Sequence, residues 1–282
     1  MVKGDPSIKI GAIVQARVNS TRLPNKVLLS LPYSSNTSVL DQVIGRAQKI
    51  ETVNEVIIAA TNDKVDDAIE SASDRLNVKC FRGDERNVLR RFFFAAKQND
   101  LDVIVRLTAD NPCIDFDLIN SISKLHIKEK NDYTATKSYP LGMNVEIVSF
   151  EAIKKAATEA STSLEKEHVT PYIYTNPDKF KISEKEAPKD CRHPDIRLTL
   201  DTEEDYALLC AVFDYLCPAN KFFGMKDLID LFKEKPWLRL INKKVLQKKM
   251  FNTLDEEIKE AIKILDLQDF KKVKHLLKGY AK

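Results

Sequence analysis

A basic segment near the start of the chain carries the first chemistry that residue types announce. Gln15-Ala16-Arg17-Val18-Asn19-Ser20-Thr21-Arg22-Leu23-Pro24-Asn25-Lys26 sets three cations among small hydroxyl and amide side chains. It follows directly on residues 9–14, a short apolar run that reads as a buried strand. In open α/β sheets, ligands bind beyond the carboxyl ends of the strands. A triphosphate there needs positive charge and backbone N–H donors. Arg17, Arg22 and Lys26 supply the charge, while Ala16 and Ser20 leave room for close approach. From these residues alone, a solvated basic loop is the plain alternative.

A second signal is an echo. Arg106-Leu107-Thr108-Ala109-Asp110 and Arg197-Leu198-Thr199-Leu200-Asp201 share the pattern RLTxD. Each puts an aspartate just past a predicted buried strand, so Asp110 and Asp201 are candidates to converge on one Mg²⁺. Such an ion keeps waters and takes phosphate oxygens as further ligands. Singly, each aspartate has a simpler reading. Asp110 precedes Asn111-Pro112 and suits a turn, and Asp201 precedes Thr202-Glu203-Glu204-Asp205 and suits a helix cap.

Two further segments carry polar groups. In 81–88, Gly83 permits a tight turn. Asp84 and Glu85 suit the first turn of a helix, and Arg82 and Arg86 are long enough to reach a base or ribose. In 139–146 and 165–172, Asn144, Glu146 and His168 are candidate contacts to an acceptor. A lone histidine on a helix is more often a structural hydrogen-bonder, and Val169 and Tyr172 are expected to pack inward. Cysteines at 80, 113, 191, 210 and 217 form no CxxC pair, which argues against a disulfide framework and for reduced thiols. Cys191 and His193 lack two further ligands at zinc-like spacing.

These groups need elements to position them. Strands are predicted at 9–14, 55–60, 78–81 and 102–107, with helices at 39–49, 64–76, 85–98 and 116–128. Ser38 is the expected N-cap of the first helix. That alternation predicts an α/β fold, a mostly parallel sheet flanked by helices with right-handed crossovers. From about 132 the rhythm changes: strands at 133–136, 144–148 and 179–183, and helices at 149–160 and 165–174. Residues 196–200 are expected to return to the sheet, followed by a helix over 202–216. Beyond 217 the chain turns lysine-rich and helical. The organisation expected is a main domain over 8–217, with an insertion at about 137–190 for acceptor or subunit contacts, and a helical appendage over 218–282.

Composition fits a globular protein, with 43% hydrophobic and 31% charged residues in 282. A net charge of +3 is too small to argue for nucleic acid, and the lysines of the tail are interleaved with acids, as on a solvated helix face. No apolar run is long enough to span a bilayer and the first residues do not resemble a signal peptide, so a cytoplasmic protein without membrane or nucleic-acid partners is expected.

Taken together, the motifs resemble the cytidylyltransferases that activate acidic sugars, the acylneuraminate and 3-deoxy-manno-octulosonate enzymes, and most closely the spore-coat polysaccharide biosynthesis protein F branch. The residues that carry the likeness are IVQARVNSTRLPNKVL at 13–28, FRGDE at 81–85, TADNP at 108–112, EHVTPYI at 167–173 and RLTLDTEED at 197–205. The likeness runs over about 8–245, in order and spacing. Asn25 departs from the branch, which more often has glycine there.

The resemblance implies a Rossmann-like fold of the glycosyltransferase-A type. It implies CTP as the nucleotide, held by the first loop, and Mg²⁺ held by Asp110 and Asp201. It places the base near Thr61, Asn62 and Arg82, and it implies a homodimer. The reaction expected is transfer of CMP from CTP to an acidic or phosphorylated sugar-like acceptor with release of pyrophosphate. Arg17, Arg22, Lys26 and Asp110 would carry the catalysis. A catalytically inactive nucleotide-binding partner in a polysaccharide assembly complex is the alternative.

Overall fold

The structure, a computed structural model, describes residues 8–246 and 253–279. Its centre is a seven-stranded sheet in the order β3-β2-β1-β4-β6-β5-β7. In chain order the main elements are β1 (Ile10–Gln15), α1 (Val39–Ala47), β2 (Glu55–Thr61), α2 (Asp67–Arg75), β3 (Lys79–Gly83), α3 (Val88–Gln98), β4 (Val103–Thr108) and α4 (Phe116–Glu129). There follow β5 (Tyr133–Lys137), β6 (Glu146–Ser149), α5 (Phe150–Glu159), α6 (Ser163–His168), α7 (Pro171–Tyr174), β7 (Ile182–Glu186), α8 (Glu203–Leu216), α9 (Met225–Glu234) and α10 (Leu238–Ile241). Last come α11 (Leu254–Leu267) and α12 (Lys271–Lys278).

The half β3-β2-β1-β4 is parallel throughout. β6 runs antiparallel between β4 and β5, and β7 is parallel to β5. Burial on both faces explains why the parallel strands read as apolar runs. In β1, Ala12 and Val14 pack with one core cluster and Ile13 with the cluster on the opposite face. The register aligns Gln15 with both Ala59 and Thr108. The loops after β1, β2 and β4 therefore leave the sheet on one edge, where ligands of such sheets bind.

Several elements differ from their expected form. Residues 196–200 do not rejoin the sheet. They run extended beside the loop at Leu141, with a single parallel bridge from Leu141 to Arg197. Ile196, Leu198 and Leu200 instead enter a third core cluster with Phe213 and Phe232. Gly142 permits this approach: its φ is 98°, and a Cβ there would lie 2.9 Å from the Leu198 carbonyl carbon. The helix expected from Glu85 starts at Val88, because Asn87 caps it by accepting from Arg90 N–H. Asp84 closes the preceding turn instead, accepting from the N–H groups of Arg86 and Asn87. The helix expected over 165–174 is split at Val169, whose φ is 73°.

Contacts divide the chain into two compact units, Met1–Lys244 and Val245–Lys282. The chain after 217 thus belongs in part to the first unit, because Leu228, Ile229 and Phe232 of α9 are buried in the third cluster. The second unit carries α11 and α12. Among the described residues, no helix is long and apolar enough to cross a membrane.

Candidate active site

The first loop is held from both sides. Ala16 N–H donates to Ala59 O of β2 at 3.2 Å. Val18 N–H donates at 2.7 Å to Asp66, whose other oxygen accepts from both the N–H and the hydroxyl of Thr61. Asp66 is only 1% exposed, so its carboxylate is a fixed brace between the loop and the end of β2. Asn25 has φ 57° and ψ 19°, a left-handed conformation that glycine and asparagine adopt more readily than other residues. The asparagine therefore preserves the turn that a glycine would make, and Lys26 opens the short helical turn that follows.

Lys26 is the meeting point of the site. Its ammonium donates to Asp110 Oδ2 at 2.7 Å, to Leu200 O at 2.8 Å and to Asp201 Oδ1 at 3.0 Å. Arg22 pairs with Asp201 Oδ2 at 3.1 Å. Asp110 is oriented by the Thr108 hydroxyl, which donates to Oδ1, and its carbonyl accepts from Leu200 N–H at 2.8 Å. The two halves of the RLTxD echo thus lie side by side, although only the first ends a strand of the sheet.

Electrostatics reinforce the arrangement. Burial alone would lower the Lys26 pKa, but Asp110 and Asp201 outweigh it and raise the value above the ordinary lysine range. Burial would raise the Asp201 pKa, but Lys26, Arg22 and Arg197 outweigh it and hold the carboxyl below its ordinary range. Both groups are therefore charged at neutral pH. Among the described residues, no three His, Cys, Asp or Glu side chains cluster as a metal site. Asp110 and Asp201 nevertheless share one cation, the ammonium, and so present two carboxylates to a single point. Carboxylates are the donor type that Mg²⁺ takes, and it needs few of them because water and phosphate complete its shell; the point between these two is held by the ammonium.

The other expected site residues fall into two groups. Ala16 is buried against the sheet, Ser20 is half-buried, and Arg17, Arg22 and Asn62 are exposed along the same edge. Arg17 lies 4.0 Å from Glu85, a loose pair that leaves it available. Thr61 and Arg82, expected near the base, are engaged with neighbouring groups. The Thr61 hydroxyl is committed to Asp66. The Arg82 guanidinium is tied to Thr61 O, to Asp63 O at 2.7 Å, to Glu70 at 2.6 Å and to Asp67 at 3.0 Å. These side chains frame the edge rather than project from it.

Glu146, a candidate acceptor contact, is likewise engaged within the protein. It pairs with Arg106 and accepts from the hydroxyls of Tyr133 and of Thr170, the latter at 2.7 Å. Burial would raise its pKa, but Arg106 and the two hydroxyls outweigh it and lower the value. Its charge is spent within the protein, whereas Asn144 is exposed and His168 half-buried at the end of α6. Asp66 is a site residue that the sequence does not mark, because it sits in the polar run Asn62-Asp63-Lys64-Val65-Asp66-Asp67 with nothing local to distinguish it.

A mostly parallel sheet with a cationic loop and paired carboxylates at the carboxyl ends of its strands is the arrangement of a nucleotidyltransferase. The model of the cytidylyltransferase family matches residues 11–223. An uncharacterized protein of Methanocaldococcus jannaschii is 38% identical over 241 residues, covering 86% of this chain and 97% of its own. The spore coat polysaccharide biosynthesis protein SpsF of Bacillus subtilis is 35% identical over 203 residues, covering 71% of this chain and 85% of its own. A solved cytidylyltransferase of Leptospira borgpetersenii superposes with a TM-score of 0.76 at 29% identity, covering 87% of this chain and 100% of that one. The chain belongs to the cytidylyltransferase family, and is a CTP-dependent nucleotidyltransferase.

Proposed function

We propose that the chain transfers CMP from CTP to an acidic or phosphorylated sugar-like acceptor and releases pyrophosphate. One observation carries this reading: Lys26 and Arg22 meet Asp110 and Asp201, from three distant segments, at the edge where β1 and β4 end. Arg17, Arg22 and Lys26 bind the phosphates, with Ala16 and Ser20 allowing close approach. Asn62 and the frame built by Thr61 and Arg82 face the base. Asp110 and Asp201 hold Mg²⁺, which when bound supplies charge to neutralise the phosphate oxygens.

An acceptor oxygen attacks the α-phosphorus in line, and the bond to pyrophosphate breaks with its electron pair on the leaving oxygen. The residues of the loop stabilise the charge that builds there. In phosphoryl-transfer chemistry such fixed charge, with positioning, does most of the catalytic work. The acceptor lies toward 137–190, with Asn144 and His168 as contacts and Glu146 shaping that region from within. The name of the Bacillus relative supports a role in surface polysaccharide or glycoconjugate synthesis.

A cytoplasmic homodimer built through the same region completes the reading, and mass measurement in solution tests its subunit number. The reaction itself is tested by a panel of sugar acids and of phosphorylated sugars, polyols and amino acids. Each is incubated with CTP and Mg²⁺, and pyrophosphate is measured. Release with at least one acceptor is expected, and silence across the panel from a folded enzyme that binds CTP counts against it.

A further inference from the structure

Asp201 is held from behind by a buried unit that reaches beyond the family's matched segment. Asp205 is 1% exposed and accepts from five directions. Its Oδ1 takes Arg197 Nε at 2.8 Å and Asn242 Nδ2 at 2.9 Å. Its Oδ2 takes Arg197 Nη2 at 3.0 Å, Asp201 N–H at 3.0 Å and Thr202 N–H at 3.2 Å. Arg197 Nη2 also donates to Asp201 Oδ2 at 2.7 Å. The backbone and one carboxylate oxygen of Asp201 are thus both fixed by the Arg197–Asp205 pair. The other oxygen, Oδ1, is the one turned toward Lys26.

Asn242 closes this unit. Its side-chain amide, 5% exposed, donates to Asp205 Oδ1 and, at 3.0 Å, to the Arg197 carbonyl. One NH₂ group thereby ties both members of the pair to each other. The residue is delivered by α10, where Leu238 is fully buried in the third core cluster and Arg239 pairs with Asp195. Asn242 stands 19 residues past the end of the family match at 223.

We infer that Asn242 is a positioning residue for Asp201, acting through Asp205 and Arg197, so that the segment after α9 takes part in aiming the carboxylate that meets the metal–nucleotide complex. The inference rests on the reading of Asp201 as a metal ligand. Groups that orient a metal ligand typically change metal affinity when removed, by about 10- to 100-fold. A residue that only anchors the chain changes stability instead.

The test is calorimetry of CTP binding to the full chain, with Mn²⁺ and with EDTA, for wild type, Asp201→Asn, Asn242→Ala and Ile119→Ala. The readout is the factor by which Mn²⁺ tightens CTP binding, set beside the melting temperature. Asn242→Ala is expected to reduce that factor about tenfold or more while CTP affinity in EDTA stays within about twofold. Ile119→Ala opens a cavity in the first core cluster, away from the segment that delivers the amide, and is expected to lower the melting temperature and leave the factor intact. Should Asn242→Ala not fold, Asn242→Leu removes both donor contacts at nearly the same volume and carries the same comparison.

A factor present in wild type, abolished in Asp201→Asn and unchanged in the Asn242 variant overturns this inference alone. So does an equal loss of the factor in Ile119→Ala, which would make the effect one of stability. No tightening by Mn²⁺ in wild type itself overturns both the inference and the metal reading beneath it.

Discussion

Lys26 donates to two carboxylates and a carbonyl at once, and that geometry has consequences at the level of single residues. Asp110 is the acid set directly at the end of a sheet strand and oriented by Thr108. Asp110→Ala should therefore cost on the order of 2–4 kcal/mol of transition-state stabilisation, the scale of losing one preorganised electrostatic group. Pyrophosphate release by a variant with an unchanged melting profile measures this, and near-normal turnover would remove Asp110 from the reaction.

The same triad sets a pH dependence. Asp201 has a depressed folded pKa, so its stabilisation is in place above the ordinary value of 3.8 and is lost as pH falls through the lower folded value. Lys26 is the opposite case: its contribution is in place below 10.5 and is lost as pH rises through the raised folded value. The melting-temperature gap between wild type and Asp201→Asn should be level across neutral pH and close on the acid side, below about pH 4. Melts at stepped pH test this, and a gap that persists undiminished into strong acid would contradict the assignment.

At the scale of elements, what was readable and what was not have physical reasons. β1, β2 and β4 read as apolar runs because both faces of a parallel strand are buried, and Asp110 followed from the end of one of them. The RLTxD echo points to Asp201 even though 196–200 is not a sheet strand. Its alternating apolar residues pack on α8 and α9, and burial of that kind has the same sequence pattern as a strand. Arg82 and Glu146 were legible as polar residues near the site, but nothing local shows that a charge is already satisfied by partners 12 to 40 residues away. Asp66 and Asn242 were silent because the partners they brace lie 48 and 37 residues distant. Gly142 shows the same dependence on a distant element. Its left-handed backbone and its closeness to Leu198 leave no room for a methyl group. Gly142→Ala should destabilise the fold by about 1–3 kcal/mol, the range for a residue forced into such backbone. The strain falls on 196–201, so CTP affinity should weaken with it. Denaturant midpoints and calorimetry measure both, and a variant with wild-type stability would show that the loop has room to move.

For the whole molecule, the burial of α9 predicts a folding boundary later than the change in composition after Cys217. α9 buries Met225, Leu228, Ile229, Leu231 and Phe232. A fully buried side chain of this kind contributes about 1.5–3 kcal/mol, while an entire domain is stable by only about 5–15 kcal/mol. A chain cut after Cys217 would expose Leu208, Leu209 and Phe213 of α8 and lose those partners together. It should not melt cooperatively. A chain cut after Lys244 keeps α9, α10, Asn242 and all of the Lys26–Asp110–Asp201 triad within one compact unit. It should melt within a few degrees of the full chain and bind CTP with equal affinity. Calorimetry of the two truncations beside the full chain decides the matter. If the shorter chain folds as well as the longer, the helices after 217 are an appendage in energy as well as in composition. If the longer one loses CTP affinity, residues beyond 244 reach the site.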